Sequence, residues 1–193
     1  MEKELLRQKL KKCLDNLSAE QKTEKSKKAC QALIETPQFQ DASVVMMYLS
    51  MPHEIDTSDA ILHAWQLGKV VVVPKVLWND GHMLPVRINS LDADFAQGVS
   101  GLRNPVKGKP MPFEEIDLVV APGLGFDRNG NRLGRGGGYY DKFFAHHRLK
   151  AQKCGFAFAE QMVEDVPVNK HDVSVDFLVT DAEVIYLARS EQF

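Results

Sequence analysis

Cysteine is scarce in this sequence, and its pattern fits no disulfide framework. The 193 residues include three cysteines, Cys13, Cys30 and Cys154, which leave an odd count and form no C-x-x-C pair. This pattern argues against a disulfide scaffold and favours a reducing compartment. No apolar run approaches the roughly 18–20 residues that span a membrane, and the charged start MEKELLRQKLKK has no apolar signal-peptide core. We therefore expect a cytoplasmic protein without a membrane partner.

An excess of charge of one sign is lacking as well. Lys and Arg number 24 against 26 Asp and Glu, which gives a formal net charge of -2. Nothing in this balance drives bulk attraction to nucleic acid. Hydrophobic residues make up 44% and charged residues 26%, as is usual for globular proteins. The length suits a single domain over residues 1–193.

Two familiar phosphate-binding motifs are also absent. No segment matches GxxxxGK[ST], and GxGxxG fails because Gly134-Arg135-Gly136 would need a glycine at Tyr139. The run VVAPGLGFDRNGNRLGRGGGYYDKFF stands instead, with seven of the thirteen glycines of the chain. Glycine lets a backbone turn several N–H groups toward one anion. A flexible linker is the alternative, but linkers lack this mixture of Arg, Tyr and Asp. We interpret the run as a phosphate-binding active-site loop.

Apolar segments of strand and helix periodicity alternate along the chain, which predicts a parallel sheet with crossover helices. Leu5, Leu6 and Leu10 begin an apolar stripe on the first helix. Ser18 starts the second helix with a capping box, and Thr57 is expected to cap the next one. The predicted helices cover Glu2–Leu17, Ser18–Leu33, Thr57–Gln66 and Tyr139–Arg148. The predicted strands cover Ser43–Leu49, Lys69–Val76, His82–Ile88, Ile116–Val120, Lys153–Ala157, Phe177–Thr180 and Val184–Leu187.

Charged side chains flank the glycines. Arg132 and Arg135 carry a fork of donors that suits phosphate or carboxylate. Asp141 falls in the first turn of a helix, where an acid is favourable through the dipole and also suits Mg²⁺ held beside phosphates. Tyr139 and Tyr140 are candidates to line a pocket for a flat ring, and the alternative is that one of them packs in the core.

Other charged residues are weaker candidates on their own. Lys3 and Arg7 share one face of the first helix at a spacing of four residues, which a solvated basic face would also explain. Glu54 stands just beyond a strand end, where ligands gather in open α/β sheets. Asp172 has no spacing argument in its favour, and the histidines show no metal-site spacing such as HExxH.

The run APGLGFDRNGNRLGRGGGYYD resembles the signature of the 5-formyltetrahydrofolate cyclo-ligase family, also called methenyltetrahydrofolate synthetases. Three further segments, KELLR, LSMPHE and PVNKHD, resemble family segments in the expected order. The resemblance implies a three-layer α/β/α sandwich around a mostly parallel sheet. It implies conversion of 5-formyltetrahydrofolate and MgATP to 5,10-methenyltetrahydrofolate, ADP and phosphate. In the implied mechanism the formyl oxygen attacks the γ-phosphoryl group and nitrogen 10 closes the ring.

The resemblance also implies roles for individual residues. The catalytic residues would be Arg135, Lys3 and Arg132, and Asp141 and Asp172 would hold Mg²⁺. ATP would be contacted by Lys3, Glu4, Leu5, Leu6, Arg7, Arg132, Leu133, Gly134, Arg135, Gly136, Gly137, Gly138, Tyr139 and Tyr140. The folate would be contacted by Leu49, Met51, Glu54, Arg135, Gly136, Gly137, Gly138 and Tyr139.

The family pattern varies at one position, since some members have Lys where this chain has Gly137. The resemblance and the charge balance together lead us to expect small-molecule substrates as partners, with no nucleic acid and no membrane. The expected oligomeric state is a monomer. Two alternatives are a non-catalytic folate- or nucleotide-binding relative and a sugar-phosphate or acyl-transfer enzyme on a similar scaffold.

Overall fold

A seven-stranded sheet forms the centre of the protein in a computed structural model that describes residues 2–92, 95–98 and 101–187. The helices are α1 (Glu2–Asp15), α2 (Ala19–Ile34), α3 (Pro37–Asp41), α4 (Ser58–Gln66) and α5 (Tyr139–Phe144). The strands are β1 (Val44–Met47), β2 (Val70–Leu77), β3 (His82–Ile88), β4 (Phe95–Gln97), β5 (Arg103–Pro105), β6 (Leu118–Ala121), β7 (Gly125–Phe126), β8 (Arg132–Leu133), β9 (Gln152–Phe156), β10 (Phe177–Val179) and β11 (Val184–Tyr186). Short 3-10 turns occupy Phe113–Glu115 and Ala159–Gln161.

The strand order of the main sheet is β11-β10-β9-β6-β1-β2-β3. The five inner strands pair in parallel, whereas β3 and β11 pair antiparallel at the two edges. The mostly parallel sheet predicted from the alternating segments is confirmed.

Both faces of the sheet are covered, because successive side chains of a strand point to opposite faces. Val45 and Met47 of β1 join the apolar core that contains Leu33 of α2 and Ile61 of α4. Met46 points the other way, into the core that contains the phenylalanines of α5. Two cores on two faces make the three-layer α/β/α arrangement that the resemblance implied.

The chain leaves β1 and its neighbour β6 in opposite directions across the sheet. After β1 it continues to β2 and β3 on one side, and after β6 it continues to β9, β10 and β11 on the other. Such a switch point opens a crevice at the carboxyl ends of the two strands, where ligands bind in open α/β sheets. The two segments that follow these strands are Tyr48–Glu54 and the glycine-rich run.

The outer edge of β3 does not present an open row of backbone groups. The Met111 N–H donates to the Pro85 carbonyl at 2.8 Å and the Arg87 N–H donates to the Lys109 carbonyl at 3.5 Å, and Val86 forms a bridge with Pro110. The strand at the opposite edge, β11, is three residues long.

Local structure follows the sequence at some element ends and departs from it at others. The capping box of α2 is confirmed, with Gln21 N–H donating to the Ser18 hydroxyl at 3.2 Å and Ser18 N–H donating to the Gln21 side chain at 2.9 Å. The side-chain cap at Thr57 is wrong, because its hydroxyl donates instead to the Tyr48 carbonyl at 2.7 Å. That bond ties the start of α4 to the end of β1.

Two further expectations are corrected. The helix expected over Tyr139–Arg148 ends at Phe144, because the His146 N–H donates to the Phe143 carbonyl and turns the chain. Leu5 does not face the core with the other leucines of α1, since it is 64% exposed. Among the described residues, no helix has the length and apolar character that crossing a membrane requires.

Candidate active site

A cavity of about 420 Å³ opens at the switch point between β1 and β6. This volume lies in the range of about 300–1,000 Å³ that is usual for small-molecule sites. Most of the residues expected at the site line it, together with several that were not expected. The lining residues are Lys3, Arg7, Tyr48, Leu49, Met51, Glu54, Pro74, Val76, Trp78, Met83, Leu102, Arg103, Pro122, Gly123, Arg132, Leu133, Gly134, Arg135, Gly136, Gly137, Gly138, Tyr139, Tyr140, Asp141, Asn169 and Asp172.

Helix α1 forms one wall of the cavity because an apolar cluster fixes it there. Leu10 packs with Leu133 of β8 and with Val166. The approach is close, since a Cβ built at Gly125 would lie 2.6 Å from Leu10 Cδ1. Glycine at position 125 is therefore what allows α1 to sit against the glycine-rich run.

The basic face of α1 points into the cavity. Lys3 and Arg7 both line it, and Arg7 Nε donates to the Gly134 carbonyl at 3.0 Å. The intervening residues lie on other faces of the helix and do not line the cavity; these are Glu4, Leu5 and Leu6. The spacing of four residues thus selects the two cations from the segment.

Residues 134–138, the glycine loop, line the cavity next to α1. Gly136 has φ +107° and Gly138 has φ +65°, backbone conformations that other residues rarely adopt. At Gly137 a Cβ would lie 2.8 Å from the ring of Tyr139. A lysine at this position, as in some family members, therefore requires a different placement of that ring.

Arg132 and Asp141 form a buried ion pair at the base of the loop. The Nη2–Oδ2 distance is 3.0 Å, and the side chains are 4% and 17% exposed. The guanidinium lies over the Tyr140 ring at 5.4 Å, and its Nε has no hydrogen-bond partner among the described residues. Tyr140 packs on Phe144 with ring centroids 5.8 Å apart, so it serves the core as well as the cavity.

Lys3 and Asp172 form a second ion pair across the same cavity. Asp172 also accepts a hydrogen bond from the Asn169 N–H at 2.5 Å. Burial alone would raise the pKa of Asp172, but the Lys3 and Asn169 hydrogen bonds and the charges of Lys3 and Arg132 outweigh it and lower this pKa. The carboxylate is therefore ionised at neutral pH.

The donor set fits the Mg²⁺ that the family resemblance implies. Asp141 and Asp172 both line the cavity, and the described residues contain no group of three or more His, Cys, Asp or Glu arranged to hold a metal. Mg²⁺ usually takes one or two carboxylates, keeps several waters and completes its shell with substrate phosphates. Two hard oxygen donors without a full protein cage match that habit.

Glu54 and Arg135 form a third ion pair that lines the cavity. Arg135 Nη2 lies 3.3 Å from Glu54 Oε1, and the Met51 N–H donates to Oε2 at 3.0 Å. The Glu54 side chain is 6% exposed. Burial raises the pKa of Glu54, although the Met51 hydrogen bond and the charge of Arg135 lower it in part. A buried carboxylate with an accepting oxygen suits the N–H edge of a heterocycle.

Sequence reasoning missed an apolar side of the cavity. Trp78 follows β2 directly and is 50% exposed, with its ring edge-on to Tyr139 at 6.1 Å and 84°. Its position at the carboxyl end of a parallel strand, on the same sheet edge as Glu54, was the available signal. Arg103 also lines the cavity, with its guanidinium 5.8 Å above the Phe95 ring. No pattern in the turn-rich segment that contains Arg103 indicated it.

The cavity thus combines two regions. Cations and carboxylates gather where α1 meets the glycine loop, and aromatic and aliphatic side chains gather beside Trp78. Such a site suits a ligand that is anionic at one end and flat and apolar at the other.

The fold and the site together define an α/β protein with a small-molecule site of mixed charge at a topological switch point. A model of the 5-formyltetrahydrofolate cyclo-ligase family matches residues 1–181. The chain belongs to the 5-formyltetrahydrofolate cyclo-ligase family.

Relatives agree over nearly the whole length. The chain is 34% identical over 191 residues to the 5-formyltetrahydrofolate cyclo-ligase of Mus musculus, covering 94% of this chain and 91% of the mouse protein. It is 28% identical over 172 residues to the Escherichia coli K12 protein of the same name, covering 87% and 94%. The solved structure of Aquifex aeolicus 5,10-methenyltetrahydrofolate synthetase is similar with a TM-score of 0.84 and 31% identity, covering 100% of this chain and 96% of that one. The family and the enzyme class expected from the sequence are confirmed.

Proposed function

We propose that this protein converts 5-formyltetrahydrofolate and MgATP to 5,10-methenyltetrahydrofolate, ADP and phosphate. The observation that carries the proposal is the pairing of charges in one cavity. Two ion pairs, Lys3 with Asp172 and Arg132 with Asp141, place two cations and two carboxylates in the cavity that the glycine loop also lines. Cations of this kind suit phosphate oxygens, and the carboxylates suit the accompanying Mg²⁺.

The chemistry requires the formyl oxygen to become a leaving group. The oxygen attacks the γ-phosphoryl group and ADP departs; nitrogen 10 then attacks the formyl carbon, loses its proton, and phosphate leaves with the former formyl oxygen. The contribution of a protein to such a transfer is mainly positioning and charge neutralisation. Magnesium, when bound, neutralises phosphate charge and orients the transferred group.

The residues of this chain divide that work. Lys3, Arg7 and Arg132 bind and neutralise the phosphates, with the glycine loop giving close backbone approach. Arg135 stands between the phosphate side and the folate side and stabilises the charge that develops between them. Glu54 accepts hydrogen bonds from N–H groups of the pterin and fixes its orientation. Trp78 and the aliphatic residues near it cover the flat rings and exclude water from the reacting oxygen.

The remaining expectations belong to the same proposal. One sheet over residues 44–186 supports a single domain, and we expect a monomer. Free thiols at Cys13, Cys30 and Cys154 support a reducing compartment such as the cytoplasm. Light scattering on the purified protein measures the oligomeric state directly.

The test follows the atoms. Purified protein is mixed with 5-formyltetrahydrofolate and MgATP, and the methenyl product is measured by its absorbance, with ATP or Mg²⁺ omitted in controls. In a second run the formyl oxygen carries oxygen-18. We expect product only when both ATP and Mg²⁺ are present, and the label in inorganic phosphate.

The outcomes separate the alternatives. Product with unlabelled phosphate would reject phosphorylation of the formyl oxygen. Binding of folate and nucleotide without turnover would identify a non-catalytic relative. Binding of neither substrate would reject the proposal and direct attention to phosphosugars.

A further inference from the structure

Asp127 is a charged residue with no exposure to solvent, at 0% relative accessibility. It lies in the turn between β7 and β8, outside the residues that line the cavity. Its Oδ1 accepts hydrogen bonds from the Asn129 N–H at 2.9 Å and the Asn131 N–H at 3.0 Å. Its Oδ2 accepts from the Asn131 side-chain amide at 2.9 Å and from the Val166 N–H at 3.0 Å. A buried carboxylate is tolerated when its oxygens are satisfied in this way.

These four donors come from two separate pieces of the site. Three belong to the turn that leads into β8. Strand β8 consists of Arg132 and Leu133 and continues directly into the glycine loop. The fourth belongs to Val166, in the segment that leads to Asn169 and Asp172. The carboxylate therefore joins the strand that carries one phosphate cation to the segment that carries one metal ligand.

Neighbouring contacts make the same connection from the backbone. The Val163 N–H donates to the Phe126 carbonyl at 2.8 Å, and the Val175 N–H donates to the Gly130 carbonyl at 2.9 Å. The segment is thus held to the β7–β8 turn before and after Asp172. Asp127 is the side chain at the centre of this attachment.

We propose that Asp127 is a positioning residue for the MgATP side of the active site. It fixes the separation of Arg132 from Asp172, and so the separation of the phosphate cations from the metal-binding carboxylate. It acts through these residues and not by contact with either substrate. The inference rests on the proposed function, since it concerns where MgATP is held.

The folate side of the cavity is built differently. Glu54 is placed by the Met51 N–H and by Arg135, and Trp78 follows β2. Of these residues only Arg135 follows β8, and Glu54 keeps the Met51 hydrogen bond without it. Loss of Asp127 is therefore expected to weaken MgATP binding selectively.

The test compares Asp127→Asn with Asp117→Asn. The asparagine keeps the shape, but its amide N–H₂ group faces N–H donors and leaves them unsatisfied. Asp117 is the control because its Oδ2 likewise accepts two backbone N–H groups, from Ser43 and Val44 at 2.8 Å each, at an exposed position outside the cavity. These bonds join the residue before β6 to the start of β1, at the amino ends of the strands, whereas the cavity lies at their carboxyl ends.

Two readouts are taken on folded protein. KM for MgATP and KM for 5-formyltetrahydrofolate are measured separately, and the binding of MgADP and of folate is measured by calorimetry. For Asp127→Asn we expect KM for MgATP and the MgADP dissociation constant to rise about 10- to 100-fold, as for other residues that orient metal ligands. The folate values are expected to change less than about twofold, and Asp117→Asn is expected to change neither pair of values.

A milder variant covers the case in which Asp127→Asn does not fold. Asn131→Ala removes one of the four donors at a position outside the cavity, and the same selective change on a smaller scale is expected. Equal loss of folate and nucleotide binding, or wild-type values for the folded variants, would overturn the inference. Absence of folate and nucleotide binding in the wild type would instead reject the proposed function, so the two failures are distinguishable.

Discussion

The Arg132–Asp141 pair gives a test that does not depend on turnover. Asp141→Asn and Arg132→Met each remove one charge and keep much of the side-chain volume. The Nη2–Oδ2 distance is 3.0 Å and the side chains are 4% and 17% exposed, so either single change strands a mostly buried charge. Removing one partner of a buried ion pair costs about 3–5 kcal/mol of stability. Because Asp141 is partly exposed, we expect each single variant to lose about 3 kcal/mol of unfolding free energy.

The double variant is the decisive measurement. With both charges gone no charge is stranded, so we expect its loss of stability to be close to that of one single variant, a coupling of about 2–3 kcal/mol. Urea unfolding of the four proteins gives the free energies, provided that the slope m is unchanged. For a chain of this size, each single change is also expected to lower Tm by about 6–12 °C.

Additive losses would refute the reasoning. If the double variant loses the sum of the two single losses, the pair does not act as a unit, and Arg132 is then held by its contacts with Tyr140 and with the Pro122 carbonyl alone. All three variants are expected to lack turnover, so the stability cycle carries information that kinetics cannot give.

Three further changes have distinct expected outcomes. Lys3→Met should cost about 2–3 kcal/mol of stability, because its pair with Asp172 is only about one-fifth exposed and Asp172 loses its cation, but should lower kcat/KM for MgATP about 10²-fold or more in initial-rate assays; a loss of stability alone would contradict this. Glu54→Gln should raise KM for folate. Burial raises the pKa of Glu54 in the folded protein. The wild type should therefore lose stability relative to this variant as the pH rises from the pKa of the unfolded state to the higher pKa of the folded state, and urea unfolding at several pH values in that window should measure the loss. A gain of stability with rising pH would show that the charge of Arg135 outweighs burial. Gly125→Ala should destabilise the protein by about 1–3 kcal/mol and displace α1, because the new methyl group meets Leu10; an unchanged Tm would contradict the close packing.

The sequence predicted the sheet and most helices because their patterns are local. Buried strands such as β1 and β6 read as short apolar runs, and the capping box at Ser18 is a four-residue motif. The family resemblance named both carboxylates and the main cations. It did not indicate that Arg132 and Asp141, or Lys3 and Asp172, would be partners, since those pairs depend on how distant segments meet.

The residues that sequence reasoning missed have a shared physical cause. Trp78 and Arg103 lie in a stretch dominated by turn residues, where no periodicity marks a wall of a cavity. Asp127 sits within the glycine-rich run and reads as one more polar loop residue, because its burial arises only when the segment around Val166 closes over it. Thr57 misled for the same reason, since the Tyr48 carbonyl competes for its hydroxyl.

The protected borders of the sheet have a practical consequence for handling this protein. A strand border with free N–H and C=O groups invites pairing with another chain, and the growth of such pairs leads to fibrils and precipitates. Here residues 109–111 occupy the outer border of β3, and β11 offers only three residues for pairing. Concentrated solutions should therefore tolerate prolonged storage, and calorimetry and spectroscopy that consume milligrams of sample become practical.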